Sequence, residues 1–129
     1  MTRQAISTTS APTAVGPYSQ GIVLGDLVFC SGQIGLDPAS GVLVDGGVEA
    51  QAERALQNLG AVLDAAGYTF ADVVKTTVFL AEIDDFAAVN AVYARFMPDP
   101  PPARSTFAVG GLPKGASIEI EAIAGRRPR

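Results

Sequence analysis

The chain has 129 residues, a formal net charge of −4, a single cysteine and no histidine, a length that suits one domain with one core over residues 1–129. The missing histidine excludes His-based triads, His–metal sites and the usual ribonuclease acid–base pair. The lone Cys30 excludes an internal disulfide and a cysteine metal cluster, and no apolar run is long enough for a membrane helix or a secretion signal, so a cytoplasmic protein is expected.

In chain order, "GIVLGDLVFCSG" (21–32) is two apolar runs broken by Gly25-Asp26, the pattern of a hairpin with a two-residue turn. "LDPASGVLVDGG" (36–47) is punctuated by Asp-Pro, Ser-Gly and Gly-Gly and reads as loop. From Val48 to Ala66 the apolar residues recur at three- and four-residue steps, which predicts a helix with Gly67 at its C-terminal stop. "DVVKTTVFLAE" (72–82) is β-branched and aromatic, hence a strand inside the sheet. A second helix is expected from Asp84 or Asp85, either of which could cap it, with Phe86, Val89, Tyr93, Phe96 and Met97 as its apolar face and Pro98 as its stop.

After the stiff connector "PDPPP" (98–102) come two strands, "RSTFAV" and "SIEIEAIA", joined by "GGLPKG". The order β-β-α-β-α-β-β predicts an α+β fold: a mixed sheet with both helices on one face. The last four residues, "RRPR", read as a polar tail. Charged residues are 17% of the chain and apolar ones 48%, against about 25% charged in an ordinary domain. So small a domain cannot hide that much apolar surface alone, and a homo-oligomer covering the bare sheet face is expected.

Several residues stand out from a pure core pattern. Alternation in the last strand puts Glu119, Glu121 and Ile123 on one side and Ile118, Ile120, Ala122 and Ala124 on the other. Both sides are partly apolar, so at least one glutamate is half-buried, and then either paired or raised in pKa, or both stand exposed on a solvated face. Arg104 opens a strand behind rigid prolines, where a guanidinium fork could hold a carboxylate or simply form a salt bridge. "GPYSQ" (16–20) and "CSGQIG" (30–35) bring Tyr18, Ser19, Ser31 and Gln33 together with glycines such as Gly32 that allow close approach to a ligand. Asn90 interrupts the apolar face of the second helix and needs partners, structural or ligand. Cys30, in an apolar run with no basic neighbour, reads as core. From the residues alone, the chain supports a pocket for a small anionic compound.

The segments "GPYSQ", "SGQIG", "VVKTTVFL", "DFAAVNAVY", "PARS" and "LPKGASIEIEAIA", taken in order, resemble the RidA/YjgF family over nearly the whole chain. That resemblance implies a chorismate-mutase-like homotrimer with three pockets at the clefts between subunits. It also implies a 2-imino acid (enamine/imine) deaminase that needs no cofactor or metal and hydrolyses 2-aminoacrylate- and 2-iminobutyrate-type compounds to 2-oxo acids and ammonia. By the same resemblance Arg104 binds the substrate carboxylate and Glu119 orients and activates the water. Tyr18, Ser31 and Gly32 line the pocket, and Asn90 lies in a family motif. Two positions depart from the family pattern. Thr106 stands where many members have cysteine, and Pro101 where phenylalanine is common; the Thr106 position keeps its backbone groups for a ligand.

Two other classes of function compete. A nuclease or translation inhibitor, also attributed to the family, fits poorly with acidic charge and no basic-aromatic stripe. A non-catalytic protein that binds or senses a 2-oxo acid would use the same Arg104 pocket, and Glu119→Gln separates it from an enzyme.

Overall fold

The computed structural model describes residues 2–126. Of the expected tail at 126–129, Arg126 is held, its N–H donating to Asp26 O and its guanidinium over the Tyr68 ring, and 127–129 lie outside the described residues. Six strands form one sheet: β1 (Gln4–Ile6), β2 (Gly21–Leu24), β3 (Leu27–Gln33), β4 (Val73–Leu80), β5 (Ala103–Ala108) and β6 (Ile118–Gly125). Their spatial order is β1-β2-β3-β6-β4-β5. Every pairing is antiparallel except β4 with β5, which runs parallel through the intervening helix. The sheet is mixed, as expected. The last strand lies between β3 and β4, so the "GGLPKG" loop does not join paired neighbours.

Helix α1 (Gly47–Ala65) buries Ala52, Ala55, Leu56, Leu59, Val62 and Leu63 against β3 and β6. Burial of each large aliphatic side chain contributes about 1.5–3 kcal/mol. Its C-terminus closes as the sequence suggests. Gly67 takes φ 81° and its N–H donates to Asp64 O at 2.9 Å, while the Tyr68 N–H donates to Leu63 O at 2.9 Å. These are the two reversed bonds of a Schellman stop.

Helix α2 (Phe86–Phe96) packs on the same face. Its Tyr93 hydroxyl meets Thr76 Oγ1 of β4 at 2.6 Å inside the core. Two expectations for α2 need correction. Asp84 and Asp85 do not cap it with their side chains; both belong to a single 3-10 turn, Ile83–Asp85, that runs straight into the helix. Its buried residues are Val89, Val92 and Tyr93, whereas Phe86 is exposed, its ring against the Arg104 guanidinium rather than in the core.

Alternation decides what the other sheet face carries. Ile118, Ile120, Ala122 and Ala124 are buried under the helices. Glu119, Glu121 and Ile123 therefore stand on the uncovered face, with Phe29, Thr77, Phe79 and Phe107 beside them in register. Phe107 is 46% exposed and Phe29 40%. No helix among the described residues is long and apolar enough to cross a membrane.

Candidate active site

Glu119 is positioned by an irregularity in the neighbouring strand. The β3–β6 register shifts between Cys30 and Gln33, which opens the ladder beside Glu119. Gly32 sits in that gap. A Cβ built there would lie 2.0 Å from Glu119 Oε2, so the carboxylate occupies the space that any other residue at 32 would fill. Burial, and secondarily the charge of Glu121, raise the Glu119 pKa above the ordinary carboxylate range. The sequence left open whether one glutamate is half-buried; it is Glu119, while Glu121 is exposed.

Around Glu119 lies a cavity of about 580 Å³ lined by Tyr18, Ser31, Gly32, Lys114, Glu119 and Glu121, among others. Ser31 Oγ donates to Ser19 O at 2.5 Å, which holds the "GPYSQ" segment against β3. Gln20, which sequence reasoning passed over, is buried and stitches the rim. Its side-chain oxygen accepts from Thr8 N–H at 2.7 Å, and its Nε2 donates to Thr8 O at 3.0 Å and Pro12 O at 2.8 Å. Asn58 was missed too. Buried in α1, it donates to Ile34 O at 3.1 Å and Leu36 O at 2.9 Å, two residues that line the same cavity. Its place between Ala55 and Val62 at helical spacing was the available signal.

Arg104 belongs to a second recess of about 620 Å³, lined by Asn90, Tyr93, Ala94, Met97, Pro98, Pro101, Pro102 and Arg104. Its Nη1 donates to Asn90 Oδ1 at 2.7 Å. Its guanidinium carbon lies 4.9 Å from the Tyr93 ring centre and 5.4 Å from that of Phe86. Phe86, Asn90 and Tyr93 are spaced i, i+4, i+7, so a single face of α2 carries the whole cradle. Among the described residues Arg104 pairs with no carboxylate. Asn90 is half-buried rather than core, and its partner is the arginine.

The sheet separates these two halves. Thr76, which pairs in register with Arg104, is buried toward the helices, whereas Phe79, which pairs with Glu119, faces away from them. One chain therefore holds Arg104 and Glu119 on opposite faces. Thr106 lines neither cavity, and its Oγ1 is buried with no hydrogen-bond partner. Cys30 is core: burial pushes its thiol up to about 12. No group of three or more acidic or cysteine side chains among the described residues could hold a metal ion.

A family model described as endoribonuclease L-PSP matches residues 8–125. A goat (Capra hircus) protein named 2-iminobutanoate/2-iminopropanoate deaminase is 52% identical over 128 residues, covering 99% of this chain and 93% of that one. The chain belongs to the RidA/YjgF family. Solved structures of the family share its fold. A Thermotoga maritima protein described as a candidate endoribonuclease superposes with TM-score 0.94 at 50% identity, covering 97% of this chain and 98% of its own. Escherichia coli TdcF, crystallised with bound serine, gives TM-score 0.90 at 44% identity, covering 96% and 99%.

Proposed function

We propose that this RidA/YjgF-family protein is a 2-imino acid deaminase of the cytoplasm, acting as a single 1–129 domain on 2-aminoacrylate- and 2-iminobutyrate-type substrates. The observation that carries the reading is Arg104: a guanidinium fixed by Asn90, Tyr93 and Phe86, exposed, and paired with no carboxylate among the described residues. Such a fork accepts a substrate carboxylate through two parallel charge-assisted bonds. The goat relative's name supports the same substrate class.

Chemistry follows from the opposite half-site. The protonated imine carries its own electrophilic carbon, so the protein must supply position and a proton acceptor. Glu119, with raised proton affinity, takes a proton from water as its oxygen bonds to C2, giving a carbinolamine. That proton then goes to nitrogen; as the C–N bond breaks, the carbinolamine hydroxyl returns its proton to the freed Glu119 carboxylate, and ammonia leaves with a 2-oxo acid behind. Tyr18, Ser31 and the backbone at Gly32 line the Glu119 side; Asn90 and Thr106 belong to the Arg104 side. Neither step asks for a metal or cofactor.

Because the sheet keeps Arg104 and Glu119 apart in one chain, the working pocket joins the Arg104 half of one subunit to the Glu119 half of the next. A cyclic homotrimer with three such clefts satisfies this, since a heterologous contact closes into a ring. Mixing tests it. Arg104→Ala and Glu119→Gln are each expected to lose about 10²-fold or more in turnover. Unfolded together and refolded at equal amounts, they should regain about a quarter of wild-type activity, because a quarter of the clefts then pair two intact halves. Activity is read as protection of imine, generated by a serine/threonine dehydratase, from semicarbazide trapping. No recovery in mixed oligomers would defeat the shared site. Wild-type protein that binds 2-oxobutyrate without turning over imine would favour the binding-protein alternative.

A further inference from the structure

Glu121 is left without a role once Arg104 and Glu119 have theirs. It follows Glu119 by two positions on β6, so both carboxylates project from the same uncovered face. Both line the same cavity, beside the strand irregularity at Cys30–Gln33 and the side-chain-free Gly32. The titratable groups facing them are Tyr18 from the segment before β2, Lys114 from the turn before β6, and Lys75 from β4. Lys75 donates its Nζ to Ser105 Oγ at 3.2 Å. Among the described residues neither glutamate has an ion-pair partner within 4.0 Å. Two like charges thus share one recess, uncompensated at close range.

We propose that Glu121 is a positioning residue for imine hydrolysis, a fixed negative charge beside Glu119 that makes Glu119 the stronger acceptor for the proton of the attacking water. The proposal rests on Glu119 being that acceptor. Glu121 needs no contact with substrate, since its field reaches Glu119 across the recess. Its charge is the second cause of the raised Glu119 pKa, after burial. A base that holds its proton more firmly passes less of it to solvent before nitrogen receives it.

The test is Glu121→Gln, with Glu121→Asp as the charge-keeping control. Glu121 is exposed, so neither change disturbs the core. In Glu121→Gln the acid limb of the kcat/KM–pH profile moves to lower pH. One pH unit below the wild-type limb, the variant keeps about two- to three-fold more of its plateau activity, the effect of one unit charge two strand positions away in a largely aqueous recess. Carboxyl-13C NMR of glutamate-labelled protein, with the Glu119 resonance assigned by its loss in Glu119→Gln, shows the same displacement without any turnover. Glu121→Asp restores the wild-type profile. An unmoved Glu119 titration, or a uniform loss of kcat with no change in profile, overturns the proposal while leaving Glu119 its role. Full activity in Glu119→Gln instead removes the reading beneath it.

Discussion

Gly32 shows how one missing side chain can seat a carboxylate, here the one proposed to activate water. The cost of filling that space falls on the end of a flexible glutamate rather than on backbone, so Gly32→Ala should fold normally. Its Cβ nevertheless evicts the Glu119 carboxylate. Turnover in the imine-trapping assay is therefore expected to fall about 10²-fold, with the thermal midpoint within a few degrees of wild type. A variant with wild-type turnover would show that Glu119 acts from another rotamer. The sequence marked Gly32 only as a place of close approach, because which side chain approaches depends on the β3–β6 register. Glu119 was legible further. Period-two alternation set its face correctly, and the mixed character of that face left only burial undecided.

At the scale of elements, periodicity carried most of the fold. The hairpin turned at Gly25-Asp26, α1 spans Gly47–Ala65 against an expected 48–66, and Gly67 stops it. β1 went unread because three residues, Gln4–Ile6, offer too little pattern to distinguish from loop. The α2 cap failed for a different reason: the preceding 3-10 turn uses the backbone that a capping side chain would have served. Asn58 joins element to site. Asn58→Ala takes one of two donors from the Ile34 carbonyl, removes the amide donor to the Leu36 carbonyl and the acceptor of Arg54 Nε, and leaves a void; it should cost about 2–4 kcal/mol in urea unfolding. Because Ile34 and Leu36 line the Glu119 cavity, imine turnover should weaken as well. A loss below about 1 kcal/mol would mean that water replaces the amide.

The whole molecule explains why the site was only half visible in its residues. Arg104 and Glu119 both drew notice, but their placement on opposite faces needs β5 parallel to β4 and β6 inserted beside β4, which no local pattern records. The uncovered face carries Phe29, Phe79, Phe107 and Ile123 around its charged residues, as the low charge content anticipated. If that face is where subunits meet, Phe107→Glu buries an unpaired charge there. The assembly should then shift toward single chains of 13.2 kDa by light scattering. Imine turnover should be lost with it, even though Arg104 and Glu119 remain. A monomer with full activity would return the entire site to one chain.

The position of β6 also bears on how the protein is made. Translation delivers the β2–β3 hairpin, both helices, β4 and β5 first, while the facing edges of β3 and β4 stay open as pairing templates for other chains. Only residues 118–125 close that seam. The strand that ends this exposure is the one bearing Glu119, so the chain completes its sheet and seats the carboxylate proposed to activate water in the same event.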